Sequence, residues 1–323
     1  MILIIGDPDD EHIRGVKAYL DASQEQTYFL STRDFAPSTL SLTSRSGRTA
    51  LHLLDGRQTV PLDKINTVWL RRTPAPNYQS RFASEDEAQF ARAELKCLIN
   101  SIWPALADRR WMNGYNARAA ADYKPTQLKV ATELGLAVPD TLITASPDAA
   151  LAFCKEHDGD IIYKPLTPFF RKDNDKWYTI YTNRLNETLF RSKLAHIAHA
   201  PCLFQKYIPK KLELRTIVVG DQMFTISIDS QASSYSSVDW RRYDLDNVAH
   251  KQYDLPSSIA TQIRSFMKAL DLVFGCIDMI VTPDERYVFL EVNEAGNWMW
   301  LDTLAGTNIT SAVADYLRGR NVS

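Results

Sequence analysis

Residues 289–293, which read FLEVN, combine the pattern of a β-strand with two polar side chains on one strand face. The apolar residues of this segment favour a strand because they pack well on a pleated sheet. Glu291 and Asn293 are two residues apart, so both side chains point to the same side of the strand. A carboxylate inside an apolar segment is unfavourable unless it faces water or has a partner. In any fold of this chain, the strand face that carries Glu291 and Asn293 must therefore contact either water or a cation.

The segment before this strand supplies a second carboxylate. FGCIDMIV, TPDER and YVFLEVN read as strand, turn and strand, and we expect this hairpin to fold about Asp284. Asp278 then lies almost opposite Leu290 and Glu291. The side chains of Asp278, Glu291 and Asn293 converge on one patch.

Such a patch favours a hard metal ion. Oxygen ligands with two carboxylates, and without His or Cys, suit Mg²⁺ or Mn²⁺. Mg²⁺ that is held by few carboxylates completes its shell with water and phosphate oxygens, so the pattern indicates a nucleotide. The alternative is that Asp278 and Glu291 are ordinary polar strand positions that face water.

Length and composition describe a globular protein with more than one domain. The 323 residues allow two or three domains, and 45% of them are apolar. The net charge of −2 gives no sign of nucleic-acid binding. The start, MILIIGDPDDEH, lacks the features of a signal peptide, and no stretch is long and apolar enough to span a membrane. The cysteines are scattered without a CxxC pair, which favours reduced thiols. We therefore expect a cytoplasmic protein that binds neither nucleic acid nor a membrane.

The first 112 residues predict an α/β domain. MILIIG is a strand, and the helical segment DEHIRGVKAYLDAS completes an opening βα unit. INTVWLRRT is a further strand, which ends at Arg71 and Arg72 before the Pro-rich turn PAPNY. These two arginines could serve an acidic peptide or end a strand in solvent. A helix with an acidic first turn follows, and its predicted apolar stripe consists of Phe90, Leu95, Leu98, Ile99 and Ile102.

Two further regions follow, at 113–200 and 201–323. In the first, GDIIYKPL is a strand, and WYTIYTNRL is its hairpin partner across the polar loop TPFFRKDNDK. The second reads as a strand, a break, two antiparallel strands joined at Gly220-Asp221, an amphipathic helix and the last hairpin. The sequence therefore predicts an α/β (α+β) protein with regions 1–112, 113–200 and 201–323.

The familiar phosphate-binding loops are absent from the sequence. There is no GxxxxGK[ST] motif, and no GxGxxG follows a strand. Instead, Lys164 ends the apolar strand IIYK, and Lys124 opens a helix forty residues earlier. Either lysine could also be an ordinary surface residue.

A break within LFQKYIPKKLELR offers a place for a nucleotide base. Pro209 interrupts a strand and leaves backbone donors and acceptors unpaired around Lys206 and Ile208. Such groups can read the edge of adenine. Glu213 could hold ribose hydroxyls, and Arg215 faces the same way as Glu213 if the strand is regular.

This order of features resembles the ATP-grasp ligases over residues 113–323. The shared pattern is a lysine at a helix start, the KP strand, the FQKYI hinge, ELR, and then an aspartate followed by ExN. FLEVNEAGNWMWL, KPTQLKVATELGLAVPDTLIT and FQKYIPKKLELR resemble more narrowly the microviridin-type peptide maturases, or graspetide synthetases. Their N-terminal α/β domain matches MILIIG…VWLRR in placement. The resemblance implies an ATP-grasp fold preceded by an α/β pre-ATP-grasp domain.

The resemblance also assigns roles to residues. Lys124 and Lys164 would bind the α- and β-phosphates of ATP. The adenine pocket would be lined by Gln205 and by the backbone of Lys206 and Ile208, and Glu213 would bind the ribose. Arg215 and Arg241 would face the γ-phosphate and the developing acyl phosphate. Two Mg²⁺ ions would be bound by Asp278, Glu291 and Asn293.

Two features depart from the family pattern. Many ATP-grasp proteins carry a glycine-rich loop over the phosphates, whereas PLTPFFRKDNDKW has no glycine, so a lid must close differently. Relatives often have Asn-Pro-Asn-Gly after the last glutamate, where this chain has Asn293-Glu294-Ala295-Gly296. The asparagine assigned to metal is kept.

The resemblance implies that the protein macrocyclises a ribosomally made precursor peptide with ATP. An Asp or Glu side chain would be activated as an acyl phosphate, and a Ser or Thr hydroxyl or a Lys amine of the same peptide would attack it. A leader segment of the precursor would be recognised away from the site, and the family pattern implies a homodimer. Two alternatives stay open. One is another ATP-grasp carboxylate–amine ligase, such as an amino-acid or protein-tail glutamate ligase, and the other is a non-catalytic nucleotide-binding regulator.

Overall fold

The computed structural model describes residues 1–32, 35, 39–53, 58–72, 82–167, 170–173, 176–233, 237–242 and 247–320. The described residues form helices together with both parallel and antiparallel sheets, as the predicted α/β (α+β) class requires. The Pro-rich turn predicted at 74–78 lies outside the described residues.

The N-terminal part of the chain contains a parallel sheet and a separate antiparallel sheet. The parallel sheet consists of β1 (Ile2–Gly6), β2 (Thr27–Ser31), β6 (Thr67–Leu70) and β7 (Arg110–Met112). The antiparallel sheet consists of β3 (Leu40–Arg45), β4 (Arg48–Leu53) and β5 (Gln58–Pro61). The helices of this part are α1 (Glu11–Ala22) and α2 (Glu85–Ile102). All of β1 is buried, as expected for a parallel strand with both faces covered, and the predicted opening βα unit is confirmed.

Helix α2 forms where its sequence predicts it, but one position of its apolar stripe was wrong. Ser84 caps the helix by accepting a hydrogen bond from Glu87 N at 3.2 Å. Leu95, Ile99 and Ile102 are buried, whereas Phe90 is 68% exposed. Phe90 lies five residues before Leu95, which places it about 140° around the helix from the buried stripe.

The central part is an antiparallel sheet in the order β12-β9-β13-β8. Its strands are β8 (Thr141–Thr144), β9 (Ile161–Lys164), β12 (Asn183–Arg184) and β13 (Cys202–Lys206). Its helices are α3 (Tyr115–Ala121), α4 (Lys124–Glu133), α5 (Pro147–Glu156) and α6 (Glu187–Lys193). Because β13 belongs to this sheet, the sheet continues past residue 200, and the predicted region boundaries stay a prediction.

The predicted hairpin between GDIIYKPL and WYTIYTNRL was mostly wrong. β10 (Phe170–Asp173) lies within the predicted polar loop and pairs with β11 (Lys176–Thr179). Only Asn183 and Arg184 of the expected partner segment pair with β9, while the longer partner of β9 is β13. A partner some forty residues distant in the chain leaves no local turn signal in the sequence.

The C-terminal part is an antiparallel sheet of five strands. In the order of the sheet, they are β16 (His250–Gln252), β15 (Gln222–Ile228), β14 (Leu212–Val219), β17 (Phe274–Val281) and β18 (Tyr287–Asn293). The helices are α7 (Ser257–Ala269), α8 (Met299–Ala305) and α9 (Ile309–Leu317). The predicted β14–β15 pair and the last hairpin are confirmed. Asp278 pairs directly with Glu291 in the β17–β18 register, next to an irregularity between Asp278 and Met279.

The end of the chain packs against its beginning. Helix α9 contacts α1, and Ile309 and Val313 share a buried cluster with Ile4 and Val16. Trp298, at the start of α8, belongs to the same cluster and is 1% exposed. The segment that follows β18 is therefore held between the C-terminal sheet and the N-terminal domain.

Within the part of the chain that the structure describes, every helix is too short or too polar to cross a membrane.

Candidate active site

A cleft lies between the central sheet and the five-stranded sheet, at the break between β13 and β14. Eight of the eleven residues that the sequence assigned to the site line this cleft: Lys164, Gln205, Lys206, Ile208, Glu213, Arg241, Asp278 and Glu291. The other three are bonded to this group, because Lys124 binds Glu291, while Arg215 and Asn293 bind Asp278. The structure thus brings together all eleven.

The two predicted metal ligands on neighbouring strands are both buried. Asp278 and Glu291 are each 5% exposed. Arg215 Nη1 donates to Asp278 Oδ1 at 2.9 Å, and Asn293 Nδ2 lies 3.4 Å from Asp278 Oδ2. Burial raises the pKa of Asp278 despite the nearby Arg215, and the charge of Glu291 adds to this rise. The alternative in which these acids face water is wrong.

Glu291 is held by two cations. Lys124 Nζ donates to Glu291 Oε2 at 2.6 Å, and Arg241 Nη1 donates to Glu291 Oε1 at 3.1 Å. Burial alone would raise the pKa of Glu291, but the charges of Lys124, Arg241 and Lys164 outweigh burial and hold it well below its ordinary value. Glu291 is therefore ionised and Asp278 is the more easily protonated member of the pair.

Lys164 is a buried cation at the end of β9. It is 7% exposed, and among the described residues it has no hydrogen-bond or ion-pair partner. Burial lowers the pKa of Lys164 to about 8, although Glu291 partly offsets this effect. An isolated buried ammonium group is unfavourable, so this position is suited to an anionic ligand.

Arg241 is oriented by Asp239, a residue that the sequence analysis missed. Arg241 donates to both carboxylate oxygens of Asp239, at 2.9 and 3.0 Å. Thr182 N also donates to Asp239 Oδ2 at 3.0 Å, and Asp239 is buried. Burial opposes the charge of Arg241, but Glu291 and Asp239 raise its pKa above the ordinary value. The acid two residues before Arg241 was the available signal, because such a spacing permits a local bidentate pair.

The hinge between β13 and β14 offers hydrogen-bonding groups at one end of the cleft. Gln205 Nε2 donates to Thr141 Oγ1 at 2.8 Å, while Gln205 Oε1 has no partner among the described residues. Ile208 N–H likewise has no acceptor there. Lys206 N–H, however, donates to Asp140 O at 3.0 Å. The predicted unpaired donor is therefore present at Ile208 but not at Lys206.

Glu213 is fixed by Lys210, a residue that the sequence analysis did not assign to the site. Lys210 Nζ donates to Glu213 Oε1 at 2.8 Å and to Val238 O at 3.0 Å. Both Glu213 and Lys210 are buried, and burial raises the pKa of Glu213. The Ser230 hydroxyl also hydrogen-bonds to the Glu213 carboxylate, which lines the cleft.

A glutamine on α4 supports β18, the strand that carries Glu291 and Asn293. Gln127 is buried, and its amide pairs with the backbone of Val292: Nε2 donates to Val292 O at 3.0 Å, and Oε1 accepts from Val292 N at 2.9 Å. Val292 lies between Glu291 and Asn293. Gln127 therefore extends the ladder of β18 and fixes the two polar side chains beside it.

Neither interpretation of Arg71 from the sequence was right. Arg71 is 1% exposed and bonds to the segment after β18, through Ala295 O and Asn297 Oδ1. Arg72 is half exposed, with its Nη2 3.3 Å from Asn297 Oδ1. The two arginines that directly follow β6 therefore contact the loop that follows β18.

The donor set at the last hairpin fits magnesium. Within the described residues, no group of three or more His, Cys, Asp or Glu side chains could hold a metal ion. A metal at Asp278, Glu291 and Asn293 would therefore rely on two carboxylates, one amide and oxygens from its ligand. This is the chemistry that Mg²⁺ adopts with phosphates.

Two antiparallel sheets that enclose a cleft lined by buried cations and acids are the arrangement of an ATP-grasp ligase. Residues 1–119 match the family model described as the MvdD pre-ATP grasp domain. Macrocyclase MdnC from Microcystis aeruginosa MRC, solved with the precursor peptide MdnA, is 31% identical over 99% of both chains, with a TM-score of 0.82. A RiPP-associated ATP-grasp ligase from Chryseobacterium gregarium, solved with ADP and a leader and core peptide, is 30% identical over 98% of this chain and 96% of that chain, with a TM-score of 0.82.

A third similar structure is macrocyclase MdnB from Microcystis aeruginosa MRC, which is 28% identical over 98% of both chains, with a TM-score of 0.79. Comparison with curated protein sequences gives no match. The chain belongs to the graspetide synthetases, the ATP-grasp macrocyclases of ribosomally made peptides. The resemblance drawn from the sequence is confirmed, as is the ATP-grasp fold with its pre-ATP-grasp domain.

Proposed function

We propose that this protein uses ATP to form bonds between side chains of a ribosomally made precursor peptide. An Asp or Glu side chain of the peptide attacks the γ-phosphate, which gives an acyl phosphate and ADP. A Ser or Thr hydroxyl, or a Lys amine, then attacks the acyl carbon and releases phosphate. The carboxyl oxygen leaves with the phosphate, so the peptide loses the elements of one water for each ring. The MdnC and Chryseobacterium gregarium relatives, which were solved with peptides, support this assignment.

The single observation that carries the proposal is the buried Lys164, which has no hydrogen-bond or ion-pair partner among the residues that the structure describes. Its ammonium group lies in the same cleft as Arg241, and its charge is suited to a phosphate. In the same cleft, Gln205 Oε1, which has no partner within the described ranges, could accept from the adenine amino group, and Ile208 N–H could donate to a ring nitrogen. Glu213 lies at the wall where the ribose would follow.

We assign the phosphates to the cations around Glu291. Lys124 and Lys164 contact the α- and β-phosphates, and Arg215 and Arg241 face the γ-phosphate and the acyl phosphate. Because Lys124 is bonded to Glu291 in the structure, nucleotide binding exchanges that ion pair for a phosphate contact. Such arginine and lysine clamps stabilise the charge of a transferring phosphoryl group.

We propose that Asp278, Glu291 and Asn293 hold two Mg²⁺ ions when ATP is bound. When bound, the Mg²⁺ ions would neutralise the negative charge of the phosphates. Arg215 keeps Asp278 in place through its 2.9 Å hydrogen bond, and Gln127 fixes the strand that carries Glu291 and Asn293. Calorimetric titration of the protein with Mg²⁺ at saturating ADP measures the number of ions bound.

Mass spectrometry of a candidate peptide tests the function. The probe is the short peptide rich in Thr or Ser and Asp or Glu that we expect a neighbouring reading frame to encode. Loss of one water per ring in the presence of ATP and Mg²⁺ is the expected result. We favour esters, which mild alkaline hydrolysis reverses, whereas amides survive it. A mass gain from an added amino acid would instead favour a carboxylate–amine ligase, and binding without turnover would favour a nucleotide-binding regulator.

We also propose that the protein is a homodimer that recognises the leader of its precursor away from the cleft. Both proposals rest on the family resemblance. Light scattering during size-exclusion chromatography measures the first, and peptides with and without the leader segment test the second.

A further inference from the structure

The loop Glu294–Trp298, which follows β18, is bonded by side chains from four other segments. Asn113 Nδ2 donates to Glu294 O at 2.9 Å, and Arg118 Nη2 donates to Glu294 Oε1 at 3.0 Å. His12 Nε2 accepts from Trp298 N at 3.0 Å. The backbone of this loop is therefore fixed at both ends, immediately after the strand that carries Glu291 and Asn293.

Arg71 lies at the centre of these contacts. Its Nη2 donates to Asn297 Oδ1 at 2.6 Å, its Nη1 donates to Ala295 O, and its guanidinium carbon lies 5.2 Å from the centre of the Trp298 ring. The only carboxylate near it among the described residues is Asp10, whose Oδ2 lies 3.4 Å from Arg71 Nε. Burial lowers the pKa of Arg71 to about 10. Burial of a cation is unfavourable unless hydrogen bonds and an opposite charge compensate for its lost hydration, so these contacts hold Arg71 in one position.

Asn297 connects Arg71 to the active-site arginine. Its side-chain oxygen accepts from Arg71, and its backbone oxygen accepts from Arg215 Nη2 at 3.3 Å. Arg215 Nη1 in turn donates to Asp278. The result is a continuous row of hydrogen bonds from the end of β6, in the N-terminal domain, to the carboxylate of β17.

Gly296 shows how closely this loop and Arg215 are fitted together. A Cβ atom at Gly296 would lie 2.8 Å from Arg215 Nη2 and 2.6 Å from both Cβ and Sγ of Cys276. Real Cβ atoms essentially never show contacts of this length, so glycine is required here and the loop backbone packs directly against Arg215. Because Asn297 O accepts from Arg215 Nη2, we expect a shift of this loop to disturb Arg215.

We propose that Arg71 and Asn297 are positioning residues, through which the N-terminal domain sets the place of Arg215 for phosphoryl transfer. This inference rests on the proposed function, in which Arg215 faces the transferring phosphate. It gives the pre-ATP-grasp domain a part in the chemistry without any contact to the nucleotide.

Asn297 offers the cleaner test because its side chain is exposed, so replacing it leaves no buried cavity. Asn297→Ala removes the acceptor for Arg71, whereas Asn297→Asp keeps an oxygen at that position. Arg318→Ala is the matched control, because Arg318 Nε bonds to Glu25 at 3.0 Å and so links the end of α9 to the N-terminal domain through other residues than Arg71 and Asn297. Arg71→Lys is a second variant that keeps the charge but loses the two-pronged donor geometry.

The readouts are kcat and KM for ATP with the neighbouring peptide, the affinity for Mg²⁺ and ADP, and the thermal midpoint. Asn297→Ala is expected to lower kcat about ten- to a hundredfold, because a small misplacement of a catalytic group has effects of this size. KM for ATP should change less than about twofold, since the lost interaction acts in the transition state. Asn297→Asp should restore most of kcat, and Arg71→Lys should resemble Asn297→Ala. Arg318→Ala should lower the thermal midpoint and leave kcat unchanged.

Two results would overturn the inference in different ways. If the wild-type protein turns over the peptide and Asn297→Ala keeps the kcat of Arg318→Ala, the loop is merely structural and the proposed function stands. If the wild-type protein neither binds ADP with Mg²⁺ nor dehydrates the peptide, the proposed function fails, and the inference fails with it.

Discussion

Asp278 and Glu291 lie directly opposite each other in the β17–β18 ladder, but different cations bind them. Arg215 holds Asp278 at 2.9 Å, whereas Lys124 and Arg241 hold Glu291 at 2.6 and 3.1 Å. Two buried carboxylates so close together would repel each other without these cations. Because the same cations are those assigned to the phosphates, the charge of the acid pair and the binding of nucleotide are linked.

Glu291→Gln and Asp278→Asn are expected to abolish product formation while the protein stays folded. Each change removes the charge of a proposed metal ligand and preserves the shape of the side chain. Peptide dehydration is measured by mass spectrometry, and folding by circular dichroism and the thermal midpoint. Asp284→Asn, at the exposed turn of the same hairpin, is the control and should keep activity. Turnover at the wild-type rate in either site variant would remove the metal assignment.

Lys164→Met should weaken ATP binding and stabilise the protein without nucleotide. A hydrogen bond to a charged group contributes about 1.5–3 kcal/mol, which corresponds to roughly ten- to more than a hundredfold in affinity. Without nucleotide, the change removes a buried cation that lacks a partner among the described residues, so the thermal midpoint should rise. Calorimetry with a non-hydrolysable ATP analogue and a thermal scan measure the two effects.

The matched control for Lys164 is Lys129→Met, since Lys129 is exposed on α4. It should alter neither ATP affinity nor the thermal midpoint by more than the experimental scatter. An unchanged dissociation constant in Lys164→Met would show that Lys164 does not contact ATP.

Stability should fall as the pH drops below the ordinary pKa of histidine, because of His12. Burial lowers the pKa of His12 in the folded protein, and Arg71 adds to this effect, while Asp10 and Glu11 oppose it. The unfolded chain therefore takes up a proton first as the pH falls through about 6.5, which favours unfolding. Above that pH His12 is neutral in both the folded and the unfolded protein, so this loss of stability disappears.

The thermal midpoint measured from pH 7.5 to 5 tests this effect. His12→Gln, whose side-chain oxygen can still accept from Trp298 N, should flatten the dependence below pH 6.5. His199→Gln is the control because His199 is exposed, and it should leave the dependence unchanged. Identical curves for the wild-type protein and His12→Gln would contradict the buried, neutral His12.

The last hairpin could be predicted because its contacts are local. A turn at Asp284 places Asp278 opposite Leu290 by counting, and the irregularity between Asp278 and Met279 moves its partner by one residue to Glu291. The alternation of β18 puts Asn293 beside Glu291. The lysines were predictable because each occupies the end of a recognisable helix or strand.

The supporting residues could not be predicted in the same way. Gln127 pairs with Val292, and Arg71 with Asn297, across more than 160 residues of sequence. No periodicity or turn signal relates such pairs, since tertiary packing decides them. The partner of β9 was misassigned for the same reason: the nearest strand-like segment was chosen, whereas β13 lies beyond it in the chain.

The intact mass of the neighbouring peptide, after incubation with the protein, ATP and Mg²⁺, tests the central claim most directly. We expect ATP-dependent losses of one water per ring, accompanied by one ADP per bond and reversed by mild alkaline hydrolysis. The losses should vanish without ATP and with Glu291→Gln. A mass gain from an added amino acid, or ATP turnover that leaves the peptide mass unchanged, would contradict the account.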